Sequence, residues 1–316
     1  MTLHKKFINL SFTLFFFIFF IILKNYLLCD VFSDCSLTQD EYGGDLSKYV
    51  IHYYSNQIVN NYNIGTYAIF KLFHTWVSFE FFLIIFQLSF YSIIFFSAFN
   101  LIENENLLKN FPLFVLVVAF YPFYDGYSSF AIKQGLGMIF LFASLFLVKR
   151  VFSLTSCIFI IIAILNHLVF SVFYFIFWIS RYFSLKFLII VYLLTIFIYL
   201  QNINNSWYLV NINFLYSLDL FFIADRILSS FNPESKLRFV VFSSLPLFFL
   251  FIPGFKKLVY ENELLKNLYQ HHFLYSSMVY LFLSEFYYID RFLSLTWIFY
   301  PFYFLYLLQI VKFNKI

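Results

Sequence analysis

Five short stretches carry the groups able to hold an anion or move a proton: Lys133-Gln134, Asn166-His167, Asp225-Arg226, Arg238 and Asp290-Arg291. Each of them borders an apolar run. A lysine at the centre of a membrane helix costs about 2.5–3.5 kcal/mol on insertion scales, so ionisable groups at such depth mark functional sites by default. Lys133, Arg226, Arg238 and Arg291 supply four fixed cations, His167 an imidazole, and the aspartates carboxylates. Cations hold a pyrophosphate and stabilise it as it leaves. An imidazole or a carboxylate takes the proton of an attacking hydroxyl. Plainer accounts compete with these roles. Lys133 can snorkel to the headgroups, the Asp-Arg pairs can be ordinary loop charges, and a histidine at a turn can be a packed, hydrogen-bonded residue.

The elements that must position these groups follow from composition. The chain has 316 residues, 63% hydrophobic and 11% charged. Soluble domains carry about 25% charged residues, so this chain cannot cover a globule with polar surface and reads as a polytopic, all-α membrane protein. The net charge of +4 contains no basic run, which argues against nucleic acid as a partner. The 53 phenylalanines accompany an excess of Ile and Asn, as an AT-rich genome produces, and are not read as a binding surface.

A spanning helix needs about 20 apolar residues. Ten candidates are 7–27, 78–99, 111–124, 131–148, 151–166, 168–180, 187–201, 237–255, 272–289 and 292–311, all within one integral membrane domain, 1–316. The first begins after Lys5 and Lys6 and is not followed by a small-residue cleavage site, so it reads as retained. With the N-terminus in the cytoplasm, Lys109, Lys149-Arg150, Arg181, Lys186, Lys256-Lys257, Lys266, Lys312 and Lys315 also fall inside, while Asp30, Asp34, Asp40, Glu41, Asp45, Asp125, Asp219, Asp225 and Glu234 fall outside. In that topology all five stretches lie at the outer face. The run 151–180 would make one helix about 45 Å long at 1.5 Å per residue, so two short segments turning at Asn166-His167 are expected.

Two larger outer segments, 29–77 and 201–236, mix aromatic and polar residues, and Leu215, Leu218, Phe222 and Leu228 suit one side of an interfacial helix. The first holds Asp40-Glu41 and Gly44-Asp45, and Asp45 is a further candidate base. Cys29 and Cys35 are either a disulfide pair or free thiols; Cys157 lies in an apolar run. No His/Cys cluster implies a metal, and no cofactor is expected. His4, His271 and His272 fall on the cytoplasmic side and are set aside.

The order of these elements resembles the EpsG-like group of Wzy-type polysaccharide polymerases. Gly43-Gly44-Asp45-Leu46-Ser47-Lys48-Tyr49 is similar to that family's Gly-x-Asp-x-x-x-Tyr element after the first span. Asn63-Ile64-Gly65 follows where the family has a Glu-x-Gly-like element, without the acid. Ile132-Lys133-Gln134 is similar to Ile-Arg-Gln, with Lys for Arg, and Asn166-His167 to Phe-His, with Asn for Phe. Asp290 to Phe302 resembles the late arginine segment. The resemblance spans most of the chain. It implies a GT-C-like membrane glycosyltransferase in the bacterial cytoplasmic membrane, joining undecaprenyl-pyrophosphate-linked oligosaccharides. Lys133, Gln134, Arg226, Arg238 and Arg291 would hold pyrophosphate or glycan, His167 or Asp45 would be the base, and a chain-length regulator and a flippase would be partners. Two other classes compete: a flippase of the lipid-linked oligosaccharide, and a membrane acyltransferase acting on the polymer.

Overall fold

The computed structural model of the chain describes residues 45–54, 64–101, 105–129, 131–148, 153–201, 236–283 and 289–310. The expected first span, Cys29 and Cys35, Lys149-Arg150, the interfacial helix within 201–236 and Asp225-Arg226 lie outside them. Among the described residues every regular element is helical. The contacts divide the chain into two compact units, 1–171 and 172–316.

The first unit holds α1 (Asp45–Tyr54), α2 (Ile64–Phe73), α3 (Phe79–Asn100), α4 (Glu105–Ala119), α5 (Pro122–Ser129), α6 (Ile132–Phe142) and α7 (Leu154–Asn166). Ser78 caps α3 by accepting from the Phe81 amide at 3.4 Å, and Glu80 sits in its first turn, where the helix dipole favours an acid. Phe79, Phe82, Phe86 and Phe90 then recur every three or four residues and form its buried face. Tyr53 of α1 plugs into that face, with ring centroids 5.3 Å from Phe79 and 5.4 Å from both Phe70 and Phe82. Its hydroxyl donates to the Val77 carbonyl at 2.9 Å. Burial, helped by Tyr54 and Glu80, pushes the phenol up to about 12, so it remains a donor.

Between α5 and α6 the chain bends by 111°. Gly135 makes this possible, since a Cβ there would overlap the Tyr127 carbonyl oxygen and the Phe86 ring. After Phe142 the helix widens into a π-turn, Ala143–Leu147. Such a turn frees carbonyls from the regular ladder. The Ser144 carbonyl accepts from Ser156 Oγ at 3.3 Å and the Phe146 carbonyl from Asn100 Nδ2 at 3.4 Å. A buried backbone in apolar surroundings needs such partners.

The run 151–180 divides as expected, into α7 and α8 (Val169–Ser180), with the break at His167-Leu168. The second unit continues with α9 (Leu185–Leu200), α10 (Lys236–Ser243), α11 (Leu245–Phe249), α12 (Pro253–Glu261), α13 (Glu263–Phe282), α14 (Ile289–Trp297) and α15 (Tyr300–Ile310). Phe187, Ile190, Leu193, Leu194 and Phe197 of α9 are exposed. A helix apolar all round suits lipid on its outer face rather than water.

Among the described residues two helical stretches, Phe79–Asn100 and Arg291–Ile310, are long and apolar enough to cross a membrane. The number rises to four if each of two bent pairs is one span. Three boundaries differ from the hydropathy reading. The run 237–255 turns by 85° between Phe249 and Pro253 instead of continuing straight. The helix expected over 272–289 begins nine residues earlier, at Glu263, because Asn262 caps it by accepting from the Leu265 amide at 2.9 Å. The apolar stretch 111–124 is the end of α4 followed by the start of α5.

Candidate functional site

In the first unit the structure brings four of the motif elements together in two pairs. Ile132-Lys133-Gln134 forms the first turn of α6. Ala131, at the N-cap position, gives no side-chain cap, and the first turn contains no acid. The positive end of the helix dipole lies at this turn. A lysine there works against that dipole, a placement that becomes favourable when an anion binds both. Lys133 Nζ lies 5.4 Å from the centroid of the Tyr49 ring. Tyr49 ends the Gly-x-Asp-x-x-x-Tyr element, and Asp45 opens the same helix one turn earlier. Around them Tyr49, Val50, Tyr53, Phe70, Ile132 and Leu136 share one core with the buried face of α3.

The second gathering joins α2 to the end of α7. Thr66 Oγ1 donates to Asn166 Oδ1 at 3.0 Å, and Asn166 Nδ2 donates to the Ile162 carbonyl at 2.8 Å. Asn166 is wholly buried. Its side chain thus closes the helix and ties it to α2. Gly65 lets the two backbones meet, because a Cβ would come within 2.9 Å of the Leu165 carbonyl carbon. Gly65 belongs to Asn63-Ile64-Gly65, the element that lacks the family's acid.

His167 leaves the helix with φ −157° and ψ 120°. Its Nδ1 accepts from the Val169 amide at 3.3 Å, and its ring meets Phe170 edge-on at 6.4 Å. An Nδ1 that accepts puts the ring proton of the neutral imidazole on Nε2. In this arrangement the imidazole is a donor through Nε2.

The remaining cations lie in the second unit. Arg238 is an exposed residue of α10 with its guanidinium 4.9 Å above the Phe239 ring. Arg291 is exposed at the start of α14, and its carbonyl accepts from Ser294 Oγ at 2.8 Å. Those two helices pack on each other through Phe239 and Trp297, stacked at 6.3 Å. Arg226 lies outside the described residues.

Sequence reasoning set aside His271 and His272, yet both are wholly buried on α13. His271 stacks 4.0 Å from the Phe173 ring, with Phe177 and Tyr275 beside it. His272 Nε2 meets the Ser243 carbonyl at 2.8 Å. Ser243 Oγ accepts from Tyr280 OH at 2.9 Å and from Trp297 Nε1 at 3.0 Å. Tyr192 OH pairs with Ser244 Oγ at 3.2 Å. The available signal was the polar run Asn267 to His272 following Asn262, a good helix cap. Among the described residues no group of three His, Cys, Asp or Glu forms a metal site.

Compared with family models, with curated proteins and with solved structures, the chain has no significant match.

Proposed function

We propose that the chain is a membrane glycosyltransferase of about ten spans. It would polymerise undecaprenyl-pyrophosphate-linked oligosaccharide repeat units into a surface polysaccharide (capsule, O-antigen or exopolysaccharide) at the outer face of the cytoplasmic membrane. The observation that carries this reading is the approach of Lys133 to Tyr49 at the uncapped start of α6. Two elements far apart in sequence, each similar to a polymerase motif, meet where an anion would be held. A third, Asn166-His167, is tied to the Gly65-Thr66 turn that follows the first.

The reaction breaks the bond between the anomeric carbon of the growing glycan and its lipid pyrophosphate. It forms a new bond from that carbon to the non-reducing-end hydroxyl of the next lipid-linked repeat. Lys133 and the α6 amides take the charge of the leaving pyrophosphate, and Gln134 orients a sugar or phosphate oxygen. The hydroxyl proton goes to a base. Of the two candidates, Asp45 fits that role better, because the Nδ1 lone pair of His167 is engaged by the Val169 amide. His167 then donates from Nε2 to a substrate oxygen.

Lys133→Gln tests the reading. Losing one such electrostatic contact costs about 2.7 kcal/mol of barrier, or roughly a hundredfold in rate. Surface polysaccharide should collapse to short chains on a gel, at unchanged protein level in the membrane. Lys133→Arg should keep most of the chain length, since the charge is retained. Wild-type chain lengths with Lys133→Gln would leave the lysine as a headgroup anchor and sink the proposal. Deleting the gene separates the competing classes. A lost polymerase leaves single repeats exported, a lost flippase leaves them inside, and a lost acyltransferase leaves full-length polymer without acyl groups.

A further inference from the structure

The second unit contains a polar cavity of about 420 Å³ at the junction of the end of α8 and the start of α13. Its size lies within the usual range for small-ligand sites, about 300–1,000 Å³. None of the candidate residues described above lines it. Arg181 and Lys266 bring two positive charges to its wall, against the one negative charge of Glu263. Arg181 Nη2 reaches Glu263 Oε1 at 3.4 Å, but that carboxylate's side chain is 80% exposed, so water screens the pair and the guanidinium keeps donors to spare.

Gln270 is the most deeply buried lining residue. Its amide nitrogen donates to the Phe183 carbonyl at 2.6 Å. Its own carbonyl oxygen is buried and meets no donor among the described residues. A buried acceptor left without a donor is rare and costly, and a ligand that brings an O–H or N–H would relieve it. Asn267, also buried, adds a second amide.

The other wall is aromatic. Trp178 and Tyr182 meet edge-on at 5.5 Å and are both largely exposed. Exposed Trp and Tyr beside Arg and Lys is the composition of a membrane–water interface, and basic pockets between helices at that depth hold lipid headgroups.

We infer that this cavity binds a phosphate ester bearing a hydroxyl or ammonium donor, and that its source is the headgroup of a membrane phospholipid. Arg181 and Lys266 hold the phosphate. The donor reaches the amide oxygens of Gln270 and Asn267. Trp178 and Tyr182 line the side from which the acyl chains leave. The site is independent of the polymerase reading and stands or falls without it.

Native mass spectrometry of the full-length protein in detergent tests it, with phosphatidylglycerol, phosphatidylcholine and free glycerol phosphate as probes. Phosphatidylglycerol should be retained more tightly than phosphatidylcholine, whose headgroup has no donor. Arg181→Gln with Lys266→Gln should weaken phosphatidylglycerol by about thirtyfold, as two interfacial cations are removed. Equal retention by wild type and the double variant overturns the site. Displacement of the lipid by millimolar glycerol phosphate alone would assign the cavity to a soluble phosphate ester and overturn the lipid source. Should the double variant fail to fold, Lys266→Gln alone carries the test. It should weaken phosphatidylglycerol by about fivefold, and unchanged binding again overturns the inference.

Discussion

The start of α6 in the first unit and the junction around Ser243 in the second use polar groups in different ways. At the start of α6 no side chain caps the helix, and Lys133 lies over the Tyr49 ring. Around Ser243, Tyr280, Trp297 and His272 meet its oxygens within 3.0 Å, while His272 Nδ1 is buried without a hydrogen-bond partner among the described residues. The first sets a cation at the start of a helix. The second is a neutral network that joins helices. Charge is therefore a good guide to the first kind of region, and a neutral network announces itself by nothing but a few serines and histidines among aromatics.

Gly135 gives the sharpest way to break the first region. Alanine there would drive a Cβ into the Tyr127 carbonyl, and the obstacle is backbone rather than a movable side chain. The cost should exceed about 3 kcal/mol, the upper end for ordinary overpacking. Thermal melting in detergent should show a large loss, and polymer length should fall with it. Gly126→Ala is the control, since nothing lies within 4 Å of its added Cβ. A Gly135→Ala protein as stable as Gly126→Ala would refute the close approach of α5 to α6.

Ser243→Ala is the corresponding break in the second region. It removes one acceptor from two buried donors, Tyr280 and Trp297. The expected loss is about 1–3 kcal/mol. If the network is structural, activity measured at equal folded protein should not change. A selective loss of polymer length at full stability would show that the Ser243 network takes part in the site.

Much of the first region was legible because its signals are local and strong. An uninterrupted apolar run marks α3, excess length forces the break at His167, and a lysine at the edge of an apolar segment marks α6. The contact of Lys133 with Tyr49 was not legible, since it depends on a 111° bend that Gly135 permits and that hydropathy does not register. In the second region Gln270, His271 and His272 lowered the apparent hydropathy over the first half of α13, so the run 272–289 began too late. Their partners, Ser243 and Phe173, come from other helices, and no spacing along the chain links them. The turn before Pro253 was visible as a proline, but its 85° angle is set by packing.

The smallest expected effect joins the two ways of using polar groups within one unit. Thr66 is buried, and its hydroxyl donates to Asn166 Oδ1 at 3.0 Å, a closed pair like those around Ser243. Yet the pair sits one residue from His167, so it steadies a candidate site residue as well as a helix end. Thr66→Val keeps the shape and removes the donor. Leaving that oxygen unanswered should cost about 1 kcal/mol, which lowers the melting temperature by about 2–4 °C in a unit of this size. If the pair only packs α2 on α7, chain length at equal protein will stay at wild type. If it holds the His167 turn, chain length will shorten severalfold, and Thr66→Ser, which restores the hydroxyl, will recover it. The second outcome is expected, because Asn166 binds α2 through its oxygen and its own helix through its nitrogen. Release of the first contact frees the side chain that fixes where α7 ends and His167 begins.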